Sequence, residues 1–154
     1  MPRQIAARIS PRQGGLSLAI AACILGTSAG CPGSDAAPGP DLSRTRRSDR
    51  GAFVATIVPQ QNPIPVNQIH AWKLHLATPA GQPLDLDKDV VRVDGLMPEH
   101  SHGMATQPRV TRALGGGDYL VEGMKLQMPG WWNIRFRVAS EAVRDDVMFD
   151  VVVE

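Results

Sequence analysis

The chain has 154 residues, with 16 Lys and Arg against 15 Asp and Glu, and its only cysteines are Cys23 and Cys31. Arg3, Arg8 and Arg12 fall in the leader, so from Cys31 onward 13 basic residues face 15 acidic ones, a formal charge of −2 that leaves no basic field for nucleic acid. With no cysteine beyond Cys31, disulfides, zinc fingers, iron–sulfur centres and thiol catalysis are excluded from the folded part, and a transition metal has to rest on His, Met or carboxylate.

In chain order, a basic segment at residues 1–12 is followed by an almost wholly apolar run at 16–26, ended by Thr27, Ser28 and Gly30. A membrane span needs roughly 20 apolar residues, so the pattern is that of a secretory signal over residues 1–30. Ser28-Ala29-Gly30-Cys31 resembles the lipobox of bacterial lipoproteins and makes Cys31 the expected lipidated residue. Ile20-Ala21-Ala22-Cys23 matches that pattern more closely by letter, but cleavage there shortens the apolar run and exposes Ile24 and Leu25. The resemblance implies a lipid-anchored protein of the periplasm or cell envelope, or a secreted one if no lipid is attached. Residues 31–50 are rich in Pro, Gly, Ala and Ser and then in arginine (Arg44, Arg46, Arg47, Arg50), a composition expected of a disordered, solvated tether.

The remaining hundred or so residues suffice for one compact domain. Pro and Gly punctuate residues 51–154 every several residues, and the runs between them are rich in Val, Ile, Phe and Trp. Short strands at that spacing predict an all-β, immunoglobulin-like β-sandwich of about seven strands. The expected strands are 52–58, 69–77, 90–96, 110–114, 119–124, one through Ile134, Phe136 and Val138, and 147–154. Strict alternation puts His70, Trp72, Leu74 and Leu76 on one face of the second strand and Lys73 and His75 on the other. The same argument places Arg135 and Arg137 in solvent, and one of Trp131 and Trp132 in the core. At most one helical turn is expected, at 140–145. Tyr119, at the head of a late strand, is expected to bond backbone as a tyrosine corner does.

The segment Met97-Pro98-Glu99-His100-Ser101-His102-Gly103-Met104 holds two of the four histidines and two of the six methionines. Imidazole and thioether are donors that suit copper, with Met-rich sets favouring Cu(I). In an extended segment His100 and His102 share a face, Ser101 points away, and Gly103 lets Met104 swing back. The candidate ligands are therefore His100, His102, Met97 and Met104, with Met128 and His70 as completions. The other reading makes the segment a corner between strands, with histidines bonding the turn and methionines filling core. Asp85, Asp87 and Asp89 alternate along the chain but lack the Gly and Glu of a calcium loop, and are read as a solvated edge. Ser101 lacks a Gly-x-Ser-x-Gly context, and no catalytic constellation is read anywhere, so an enzyme is not expected.

Taken together, His70-Ala71-Trp72, the run from Asp94-Gly95-Leu96-Met97-Pro98 to His100-Ser101-His102-Gly103, Gly117-Asp118-Tyr119 and Met128-Pro129-Gly130-Trp131-Trp132 resemble the YtkA-like/FixH-like domain. The resemblance covers nearly all of residues 51–154. It implies an exported or membrane-tethered immunoglobulin-like sandwich linked with copper handling or with assembly of respiratory oxidases. FixH-like members that serve oxidases carry a transmembrane helix, whereas this chain carries a lipoprotein-type leader. Two functions follow as expectations: an envelope lipoprotein that binds or delivers copper, or a non-metal interaction module for another envelope protein.

Overall fold

The computed structural model describes residues 39–154, and the expected signal segment and both cysteines lie outside the described residues. Nine strands follow in order: β1 (Thr45–Arg47), β2 (Val54–Pro59), β3 (His70–Ala77), β4 (Val91–Met97), β5 (His102–Gly103), β6 (Arg109–Gly115), β7 (Asp118–Met124), β8 (Gly130–Ala139) and β9 (Arg144–Val153). They form two antiparallel sheets, one ordered β1-β2-β3-β7-β6 and the other β5-β4-β8-β9. Without the two shortest strands, β1 and β5, the order is that of a constant-type immunoglobulin sandwich, a four-stranded sheet facing a three-stranded one.

Alternation produces the sandwich. In β8, Trp132, Ile134, Phe136 and Val138 are fully buried while Arg135 and Arg137 face solvent. In β9, Val147, Phe149, Val151 and Val153 turn inward, and Phe136 meets Phe149 edge-on with ring centroids 6.1 Å apart. From the opposite sheet Trp72, Leu74, Leu76, Tyr119 and Val121 complete the same core. Trp72 lies on β3 and Trp132 on β8, the two strands that carry the bridging cysteines of antibody domains. Two buried indoles occupy the strands where those domains place a cross-link.

Three sequence expectations change. The segment expected as a tether runs to Arg50, but Thr45, Arg46 and Arg47 pair with Thr56, Ala55 and Val54 as an edge strand. Arg46 is tied to Asp41 at 3.3 Å and Asp150 at 3.6 Å. A Thr-Arg-Arg segment has no apolar alternation to announce it, because the strand is held by backbone pairing and ion pairs rather than by burial. Residues 140–143 form a hairpin turn rather than helix, with the Ser140 amide donating to the Val143 carbonyl at 2.8 Å and the Val143 amide to Ser140 Oγ at 2.9 Å. Tyr119 stands on β7 rather than on the strand that carries the usual tyrosine corner. Its hydroxyl accepts from the Leu86 amide at 2.6 Å and donates to the Leu84 carbonyl at 2.7 Å, pinning the loop between β3 and β4. Burial, outweighing the opposing hydrogen bond, raises the Tyr119 hydroxyl above its ordinary pKa.

The Asp85, Asp87 and Asp89 triplet is used inside the chain. Asp85 accepts from the Gly117 amide at 2.8 Å, Asp87 caps the single turn of 3-10 helix at Lys88–Val90, and Asp89 pairs with Lys88.

β8 and β9 span the sandwich from end to end, Gly130 opposite Val153 and Ala139 opposite Arg144. At the Arg144 end, Asp145 is almost wholly buried and accepts from the amides of Arg50 at 2.9 Å and Ala52 at 3.2 Å. Burial alone would raise its pKa. Hydrogen bonds from Ser48 and from the amides of Asp146, Ala52 and Arg50 outweigh it and hold the carboxyl well below the usual carboxylate range. At the Gly130 end, the 125–129 connection carries the chain from β7 into β8, and Met124 pairs with His70 at the start of β3. The segment that holds His100 and His102 follows β4 at this same end.

Candidate functional site

β4 ends at Met97, and the chain reverses at once so that Met97 pairs with His102 and Leu96 with Gly103. The amides of His100 and Ser101 both donate to the Met97 carbonyl, at 3.2 and 2.8 Å. The segment is thus a tight turn, the corner between strands that one sequence reading expects, rather than the extended run that the metal reading assumes. The reversal falls on Ser101, whose φ of 55° lies in the left-handed region, and not on Gly103. Gly103 sits in β5 instead, where a Cβ would lie 3.2 Å from the Gly95 carbonyl oxygen. The short return strand requires the reversal to be complete before His102, which leaves Ser101 as the residue that turns.

The turn nevertheless brings the two imidazoles together. Their ring centroids are 5.8 Å apart and the planes differ by 20°, a stacked pair. His102 meets the edge of Trp132 with centroids 5.7 Å apart at 64°, and the Trp132 indole is fixed by donation to the Met128 carbonyl at 3.0 Å. His102 Nδ1 lies 3.1 Å from the Gly103 carbonyl oxygen and 3.3 Å from Gln127 Nε2. Gln127 Nε2 is closer to that same oxygen, at 2.9 Å, and donates to it. His102 Nδ1 is thus engaged by the Gly103 carbonyl and the Gln127 amide, and its Nε2 has no hydrogen-bond partner among the described residues. Gln127 Oε1 also accepts from the Ala105 amide at 3.1 Å, so one side chain ties the 125–129 connection to the returning arm of the turn. The His100 side chain is exposed and has no hydrogen-bond partner among the described residues.

The other candidates are placed differently from one another. Met97 is buried in the core, its methyl directed at Gly130, where a Cβ would come within 2.6 Å of it. Met97 therefore packs, and to act as a ligand its side chain would have to leave the core. Met104 is half-buried and lies over Gly95, where a Cβ would meet its methyl at 2.7 Å and its Cγ at 3.2 Å. Met128 is 37% exposed beside Trp132. His70 is buried on the core face, as alternation predicted, with Nδ1 3.0 Å from the Gln68 carbonyl oxygen. Its ring neighbour is Trp72 at 6.1 Å, and both His70 Nε2 and Trp72 Nε1 are buried without a hydrogen-bond partner. The fourth histidine, His75, lies on the outer face of β3 and bonds Asp118 at 2.7 Å. Among the described residues no cluster of three or more His, Cys, Asp or Glu side chains could hold an ion.

The sequence places one of Trp131 and Trp132 in the core and brings in Gly95 and Gly130 only within the family resemblance, and it gives Gln127 no role at this end. A glycine inside a strand pattern signals close approach of another group, which could have flagged Gly95. Gln127 carries no local signal at all.

A family model described as YtkA-like matches residues 51–137. The chain belongs to the YtkA-like family. The YtkA-like match spans β2 through most of β8, including the His100/His102 turn and Trp132. The described YtkA-like domain extends beyond it, because β1 precedes the match and β9 follows it in the same two sheets. No curated protein and no solved structure matches the chain.

Proposed function

We propose that this protein is an exported lipoprotein, anchored to a membrane through Cys31, whose YtkA-like domain binds or delivers copper through His100 and His102. The observation that carries the reading is the stacked, outward-lying imidazole pair, with His102 anchored through Nδ1 and its Nε2 without a partner among the described residues. Met104, half-buried against the core edge over Gly95, and Met128, exposed on the connection into β8, lie at the same end and offer soft donors that suit Cu(I), and the exposed His100 is free to reorient toward an ion. Copper bound there would be exposed enough to pass to a second envelope protein. Trp132 and Gln127 hold His102 and take no part as ligands.

Titration of Cu(I) and Cu(II) into wild type and into a His100→Ala, His102→Ala double variant tests the site, with loss of binding in the variant as the expected result. Equal binding by both proteins, or none by either, means that the histidines hold a corner and the domain serves another interaction. The anchor is tested separately by the intact mass of detergent-extracted protein, expected to begin at Cys31 with acyl chains attached. An unmodified amino terminus rules out the lipoprotein reading, and lipid on Cys23 corrects only its position.

A further inference from the structure

The outward face of the second sheet carries a cavity of about 540 Å³, formed where β4, β8 and β9 lie side by side. Its walls include Arg92, Asp94 and Leu96 from β4, Arg135 and Arg137 from β8, and Met148 from β9. The volume falls within the range of about 300–1,000 Å³ usual for small-molecule sites. Register places Arg92 directly opposite Arg137, Asp94 opposite Arg135, and Arg135 opposite Met148. Like charges directly opposite across an antiparallel pair destabilise a sheet, so the Arg92–Arg137 juxtaposition works against the fold unless an anion lies between or beside them.

Arg137 is already matched, its guanidinium 3.2 Å from both oxygens of Asp146. Arg92 and Arg135 have no carboxylate at ion-pair distance among the described residues. Asp94, although opposite Arg135, accepts from the Gly95 amide at 2.8 Å. Asp146 is taken up by Arg137 and Asp89 lies within electrostatic reach of Arg92, so the guanidiniums left without an ion pair are Arg92 and Arg135, which together suit one carboxylate better than a phosphate dianion. Leu96 and Met148, exposed at 47% and 38%, give the same cavity an apolar side. Guanidinium presents paired donors that match the two oxygens of a carboxylate.

We propose that this face binds an amphipathic monocarboxylate, its carboxylate taken by Arg92 and Arg135 and its apolar body lying on Leu96 and Met148. The site is independent of the copper reading. Its side chains come from the strand faces rather than from the turn that holds His100 and His102.

The test is an NMR titration of the full chain with octanoate, following the arginine Nε–H and methionine methyl signals. Acetate supplies the charge without the tail, octanol the tail without the charge, and octyl phosphate a second anion. Saturable shifts at Arg92, Arg135 and Met148 are expected with octanoate, with at least ten-fold weaker binding of each of the other three and of octanoate to an Arg92→Gln, Arg135→Gln double variant. Absence of saturable shifts at these residues overturns the proposal, as does equal binding of octanol or undiminished binding by the double variant. Tighter binding of octyl phosphate overturns the choice of a monocarboxylate. The single variant Arg92→Gln provides a control on folding. Its Tm should equal or exceed that of wild type, because the substitution removes a like-charge pair, and a fall would mean that Arg92 is held by the fold rather than kept for a ligand.

Discussion

The two ends of the sandwich treat polar side chains in opposite ways. At the Arg144 end, Asp145 is buried and several donors converge on it: Ser48, the amides of Arg50, Ala52 and Asp146, and the Arg50 guanidinium. At the Gly130 end, the His100 side chain has no hydrogen-bond partner among the described residues and His102 uses one nitrogen, while its ring packs on the edge of Trp132. The contrast follows from chemistry. A carboxylate is stable in a buried place only when its lone pairs are fully met, whereas an imidazole at a turn can keep one nitrogen open to solvent at little cost. One end therefore holds the edge strand to the core, and the other presents donors.

The comparison is broken most severely by Trp132→Ala, expected to cost about 3–5 kcal/mol as a large buried aromatic is lost. Because Trp132 also meets the His102 ring, chemical denaturation should report the lost stability while imidazole NMR shifts report a freed ring. A destabilised protein with unmoved His102 signals would show that the indole does not hold the site.

Asp145→Asn comes next and sharpens the contrast through pH. The Asp145 pKa is depressed on folding, so its stabilisation is fully present above the ordinary value of 3.8 and is lost as pH falls below that toward the depressed folded value. Wild type should melt several degrees above the variant at pH 6, and the gap should close progressively on acidification below pH 4. A gap that persists unchanged into acid would assign the effect to packing rather than charge.

Gly95→Ala should be milder, roughly 1–3 kcal/mol, because the added methyl displaces the flexible end of Met104 rather than backbone. The expected signature is a moved Met104 methyl signal together with an intact β4–β8 pairing. Smallest of all should be His100→Ala, within about 0.5 kcal/mol of wild type in stability, since the side chain is exposed and unbonded. A larger loss would mean that the stacked pair supports the turn and would draw the two ends closer in character.

The sequence by itself determined the two-layer β architecture, the seven long strands and their facing. Period-two alternation is local, and Trp72, Ile134, Phe136 and Phe149 cannot all be buried by any other pleat. It also identified the YtkA-like family, the inward His70, the outward His75, and the division of Trp131 and Trp132 between surface and core. Only the tertiary structure decided that residues 45–47 are an edge strand, because Thr-Arg-Arg is held by backbone pairing to β2 and by the Arg46–Asp150 ion pair rather than by a pattern of its own. It likewise decided that Ser101 turns the chain, that Met97 fills the space left by Gly130, and that Gln127 fixes His102 across 25 residues of sequence. The Arg92–Arg137 juxtaposition belongs with these. Alternation says which face a side chain takes, but the side chain it meets there depends on lateral register between strands distant in sequence.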